Sequence, residues 1–251
     1  MKRGTLILTV IAGLLVFLAV LVLYLPASWF ASRLPPQVHC TELGGSVWHG
    51  ECLGLTWQGG SLGDASWNLA PISALTGRLA GDVDVRGTTL ALRADLDLAF
   101  DQSGHLRNIS ARIPLDPAFF SSLPANQRGT VVAELERLEL AAGGIPRLAE
   151  GIVELHDFRE ESPGQSTPLG SYRLTFDGNR RDDGSVVGQL QDLGGPFSIE
   201  GTVTLTPPNQ YLGQGRIAGR GAQAENIVRQ ITFGAPPDAS GRTAFTFEGT
   251  F

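Results

Sequence analysis

One run of residues constrains this chain more than any other. Leu6–Leu25 (LILTVIAGLLVFLAVLVLYL) carries no charge, and only Thr9 and Gly13 interrupt its apolar character. Its length matches the ~20 residues a helix needs to cross the hydrocarbon core of a bilayer. A cleaved signal peptide is the competing reading, but its apolar region is shorter and ends in a small-x-small site. Cleavage after Ala31 would set Trp29 at the −3 position; cleavage after Ala27 would set Leu25 there, with Pro26 between. The expectation is an uncleaved anchor over residues 5–25, with Leu6, Leu14, Leu15, Phe17 and Leu25 as anchoring residues. Tyr24 and Trp29 fall where an aromatic interface belt lies.

Charge sets the orientation. Lys2 and Arg3 precede the run, and only Arg33 follows closely. The positive-inside rule then places residues 1–4 in the cytoplasm and residues 26–251 on the far side. About 225 residues lie beyond the anchor, enough for one large domain or two small ones and for a buried core. The formal charge is −6, and Lys2 is the only lysine. That composition carries no basic patch and speaks against nucleic acid as a partner.

The two cysteines, Cys40 and Cys52, lie in the exported part. An oxidising compartment predicts a disulfide between them. The alternative is a Cys2His2 metal set with His39 and His49. Adjacent His39 and Cys40 converge on one ion only with difficulty, so the disulfide is favoured.

Past a helical extension over 26–37, the pattern is β. Leu90, Leu92, Ala94, Leu96, Leu98 and Phe100 alternate with Ala91, Arg93, Asp95, Asp97 and Ala99, a period of two with one apolar face. Residues 81–87 alternate likewise, joined through a turn at 87–89. Further strands are read at 46–48, 53–57, 62–69, 106–114, 130–140, 151–158, 171–178, 197–206, 211–219 and 242–251. In 130–140 the apolar phase slips between Leu135 and Leu138, which predicts a bulge. Residues 102–105 read as a turn, and 159–169 as a polar, mobile loop. Short helices are expected at 70–77, with Pro71 at its start, and at 116–124, capped by Asp116. An amphipathic helix is expected at 222–233.

The predicted fold class is mainly β. One N-terminal transmembrane helix precedes a long curled antiparallel sheet of ten to thirteen strands, with two or three short helices and one solvated face. The domain layout is a cytoplasmic tail (1–4), an anchor (5–25) and a periplasmic β-rich domain (26–251). A parallel α/β fold would show continuous apolar strands instead. The closing aromatic strand would also suit an outer-membrane barrel, but other strands carry Asp and Arg and lack aromatic girdles.

No nucleophile, metalloprotease, P-loop or dinucleotide motif is present, so no catalytic, cofactor-binding or metal-binding residue is assigned and no enzyme is expected. His39, His49, His105 and His156 read as exposed polar residues. Residues 177–184 lack the ligand spacing of a calcium loop and read as a hairpin tip. Glu134, Glu136 and Glu139 read as part of a solvated strand face.

Three segments carry a family resemblance. Leu43–Gly50 (LGGSVWHG) holds a G-x-x-W-x-G pattern. Leu62–Gly77 holds Trp67, Pro71, Leu75 and Gly77 in an L-x-x-x-x-W-x-L-x-P-x-x-x-L-x-G arrangement. The end, Gly241–Gly249, reads G-R-x-x-F-x-F-x-G. In order and spacing these resemble the protein N family of the type II secretion system, the Gram-negative machine that exports folded proteins from the periplasm. The resemblance implies a single-pass accessory component of the inner membrane with a β-rich periplasmic domain. Its implied partners are other secretion components, docked through sheet edges or apolar patches, with no small-molecule substrate. Trp48 and Trp67 are expected in the core. The alternative function is lipid binding or shuttling, with Leu90–Phe100 lining a groove. The two readings part on whether the apolar face is covered by a second layer or left open.

Overall fold

The computed structural model describes residues 10–14, 17, 20–29, 35–88, 90–116 and 124–250. Strands dominate it: β1 (Val38–His39), β2 (Glu42–Gly45), β3 (His49–Trp57), β4 (Gly60–Leu69), β5 (Arg78–Arg86), β6 (Ala91–Ala99) and β7 (Gly104–Leu115) come first. Then follow β8 (Gln127–Ala141), β9 (Ile145–Ser162), β10 (Gln165–Asp177), β11 (Val186–Asp192), β12 (Phe197–Thr206), β13 (Gln210–Gly219) and β14 (Thr243–Thr250). Helix α1 (Pro71–Ala74) separates β4 from β5, and α2 (Ala222–Ile231) separates β13 from β14.

All fourteen strands form one antiparallel sheet, and from β3 onward spatial order follows chain order. β1 and β2 lie one after the other along the same edge of β3. Alternation explains this architecture. Each strand has one apolar side, and a short turn returns the chain with that side on the same face. The strand count exceeds the expected ten to thirteen: β1, β2 and β11 are not among the strands expected from sequence, while residues 46–48 form the turn between β2 and β3 rather than a strand.

Cross-strand partners share a face, so the register assigns every side chain. Trp67, Val83 and Ala94 form one row. Ile109 and Leu135, then Val153 and Leu174, then Val203 and Gly213 continue the same face. The other face is mostly polar. Its cross-strand partners include Arg173 with Glu154 and Arg137 with Glu150, in ion pairs of 2.6 and 3.2 Å. Such exposed pairs contribute about 0.2–1 kcal/mol each.

The structure corrects several expectations. Residues 159–169 are not a loop: β9 and β10 run on as a long hairpin, with Ser162 opposite Gln165. Polar side chains on both faces hid that extension. His105 lies inside β7 and His156 inside β9, and both are half-buried rather than exposed. The bulge expected in 130–140 is present between Leu135 and Arg137. The helix expected at 116–124 falls mainly on residues 117–123, outside the described residues. Of the helical extension at 26–37, Ala27–Trp29 form a 3₁₀ turn and 30–34 lie outside. Among the described residues the path of the sheet is open, with β14 paired to β13 and β1 to β3, which does not match the barrel alternative.

Two apolar clusters lie on the same face. Ala149, Phe176 and Val186 form one, with Leu135, Val153, Leu174 and Leu205 around them. Phe197 and Ile217 form the other under Ala224 and Val228 of α2. Gly219 permits that docking, since a Cβ there would lie 2.7 Å from the Glu225 Cα.

Candidate docking surfaces

Three features distinguish this sheet: its first edge, its last edge and its apolar face. The first edge is closed by several devices. A disulfide joins Cys40 and Cys52, Cα atoms 5.6 Å apart, between the edge segment and β3. The cysteines are therefore not available as thiolate ligands, and the Cys2His2 alternative is ruled out. His39 and His49 are exposed. No cluster of three potential metal ligands occurs among the described residues. The chain before the sheet is tied to the same corner. Pro26 bridges to Ser46, the Val47 N–H donates to the Leu25 carbonyl at 3.0 Å, and the Trp48 indole N–H donates to the Val22 carbonyl at 2.8 Å. Trp48 is buried, while Trp67 is half-buried and donates to the Val47 carbonyl at 3.0 Å.

The residues leading into that corner are helical at 10–14, 17 and 20–23. Leu14 and Phe17 are exposed there at 57% and 61%, and Val20–Tyr24 are exposed too. Leu25 is half-buried; Leu6 and Leu15 lie outside the described residues. Among the described residues no helix is long and apolar enough to cross a membrane.

The last edge is different. β14 runs eight residues with regular pairing to β13 and has no strand on its other side among the described residues. It carries one charge, Glu248, and no lysine or proline. Those are the devices that usually blunt an edge. Phe247, 45% exposed, stacks on Phe245 at 6.0 Å and lies across Gly213.

That ring is one of a set. Trp67 lies over its cross-strand partner Gly50, Phe176 over Gly188, Phe247 over Gly213 and Tyr211 over Gly249. All four pairs are on the apolar face. A glycine opposite each aromatic lets the ring lie flat on the sheet. This pairing was not anticipated from sequence. Its signal is glycine at apolar-phase positions, such as Gly213 and Gly215 between Tyr211 and Ile217.

Among the described residues the apolar face has no second layer of strands, and α2 covers its β12–β14 end. No side chain among the described residues is more than 98% buried. The whole chain exposes 15,357 Å², against roughly 10,700 Å² for a compact chain of this mass.

The polar face holds ion pairs. Glu154 accepts from Arg173 at 2.7 Å and meets the His156 ring at 2.7 Å. The Arg173 hydrogen bond, then His156, hold its carboxyl below the ordinary range. Asp97 is lowered by Arg78 in the same way, at 2.7 Å. Glu134 and Glu136 are exposed, and Glu139 pairs with Arg180. Residues 178–185 link β10 to β11, with Asp177 and Asp183 accepting the N–H groups of Asn179 and Ser185.

A family model described as type II secretion system (T2SS), protein N, matches residues 36–246. The chain belongs to that family. The matched span runs from before β1 into β14, so the family's defining region is the sheet itself. A Vibrio cholerae protein named type II secretion system protein N is 29% identical over 93% of this chain and 94% of its own length. A Klebsiella pneumoniae protein of the same name is 24% identical, over 93% of this chain and 92% of its own. No solved structure matches. Family membership makes the chain an accessory component of type II secretion.

Proposed function

We propose that this chain is an inner-membrane-anchored component of the type II secretion system that docks onto other secretion components in the periplasm. Residues 5–25 anchor it, residues 1–4 face the cytoplasm, and residues 26–251 form the periplasmic part. Exposed apolar side chains from Val10 to Tyr24 support the anchor. The disulfide suits an oxidising compartment. The sheet curls about its apolar face, which explains half-burial of those side chains without a covering layer.

The observation that carries the docking is the contrast between the two edges. The first is capped by the disulfide and the incoming chain. The last offers a regular eight-residue ladder with unpaired backbone groups. Such an edge accepts an added strand, with backbone hydrogen bonds for affinity and alternate side chains for selectivity.

Photocrosslinking from Ala244 and Thr246, in cells carrying the assembled machine, tests this. Crosslinks to another secretion component support strand addition at β14. Crosslinks absent from both positions but present at Arg93, on the polar face of β6, would refute it. Lysines at Ala244 and Thr246 should block docking and lower secretion while leaving the fold intact.

A further inference from the structure

The apolar face has a continuous course that the docking reading leaves unused. It starts at the corner where Trp48 is bonded to Val22, beside the exposed apolar helix. It passes Trp67, Val83, Ala94 and Leu96, then Ile109, Leu135, Val153 and Leu174. It ends at α2 and β14. The thirteen strands of the path make twelve steps of about 4.8 Å, roughly 58 Å in all. One leaflet's acyl chains span about 15 Å, half the hydrocarbon core. The side chains of these rows are half-buried, Ala94 fully so, with no second layer of strands over them among the described residues; apolar surface left part-open along such a course marks an interaction site.

The chemistry of the face selects its occupant. Its rows are aliphatic and aromatic carbon. The Tyr172 hydroxyl, on the same face, is already donated to the Leu169 carbonyl. The Asp192 carboxylate, cross-strand from Tyr172, is likewise engaged by Arg220, so the polar groups near these rows are already paired, whereas hydrocarbon needs no polar partner. The course begins at the segment read as membrane anchor, so its nearest hydrocarbon is the bilayer.

We infer that the apolar face of the sheet holds phospholipid acyl chains drawn from the membrane at the β3–β4 end. Headgroups stay at the open rim, and the α2 end closes the trough. This inference rests on the anchor reading, but not on docking at β14.

The test uses the full chain in vesicles of phosphatidylethanolamine and phosphatidylglycerol with labelled acyl chains. Photoreactive residues replace Phe17 in the helix, Leu96 and Leu135 on the apolar face, and Asp95 and Glu134 beside them on the polar face. The expected result is lipid label at Phe17, Leu96 and Leu135, at least tenfold above Asp95 and Glu134. Label at Phe17 alone would overturn the inference and leave the anchor standing. Label at Leu96 and Leu135 without Phe17 would overturn the anchor and with it the inferred entry of lipid at the β3–β4 end. Equal label on both faces, or protein crosslinks in place of lipid at Leu96 and Leu135, would also overturn it. An Ala133→Glu variant places a carboxylate mid-face and should cut label at Leu135 severalfold. Unchanged label in a variant of native circular dichroism would count against the trough.

Discussion

The hairpin of β2 and β3 holds two glycines whose replacement should have opposite effects. Gly50 lies on the apolar face under the Trp67 ring. An alanine Cβ there would sit 2.7 Å from the Trp67 Cε2 and 2.7 Å from the Ser46 carbonyl oxygen, a backbone atom that cannot step aside. Overpacking of this kind costs about 1–3 kcal/mol. Displacing the indole also breaks its 3.0 Å bond to Val47, worth about 1 kcal/mol. Restricting the unfolded chain returns about 0.4–1 kcal/mol. The net loss for Gly50→Ala is about 2 kcal/mol. Gly44 lies on the opposite face, where the nearest atom is the Glu51 Cγ at 3.2 Å, part of a flexible side chain. Neither glycine has a positive φ, so alanine fits both backbones. Gly44→Ala keeps the entropic gain and little else. Thermal unfolding of the full chain in detergent, followed by tryptophan near-ultraviolet circular dichroism, measures both. At roughly 2–4 °C per kcal/mol, Gly50→Ala should melt about 4–8 °C below the parent. Gly44→Ala should match or exceed the parent. If Gly50→Ala melts as high as Gly44→Ala, the flat packing of rings on glycines is wrong.

Three further outcomes are expected. Cys40→Ala with Cys52→Ala opens a loop of sequence separation 12 and should lower stability by about 3 kcal/mol, read from urea unfolding. Glu154→Gln removes a carboxylate held below its ordinary 4.5 by Arg173 and then His156. A depressed folded-state value stabilises above the unfolded one and is lost as pH falls through the folded one. The variant should therefore melt below the parent at pH 7, with the gap closing below about pH 4.5; a gap that widens in acid contradicts the assignment. Burial, then Asp192, pushes the Tyr172 phenol up to about 12. Absorbance titration should show one of the three tyrosines ionising late, and Tyr172→Phe should remove that step while costing about 1 kcal/mol.

Period-two segments made most of the sheet legible before any coordinates. Leu92, Ala94, Leu96 and Leu98 share a face because alternation leaves no other arrangement. The helix at Ala222–Ile231 followed from Ile227, Val228 and Ile231 at helical spacing. Where both strand faces are polar, periodicity vanishes, and the 159–169 hairpin was invisible for that reason. The ring-on-glycine pairs depend on register between strands, which one strand's pattern does not carry. The β14 edge was legible as a strand but not as an edge, because strand order belongs to the whole sheet.

The chain-order path of the sheet has a consequence for assembly. Each ladder joins segments adjacent in sequence, so no long loop must close before a contact forms. A chain emerging from its N-terminus can add hairpins in the order they appear, starting from the disulfide-bonded corner. Arrested chains ending after β9 should already protect amides of β3–β8 from hydrogen exchange; protection only in complete chains would contradict this. At every moment of such growth a single bare ladder faces solvent, and each new hairpin hides the last and exposes the next. Among the described strands the ladder left bare is β14, so the growing point of the sheet coincides with the edge proposed for docking.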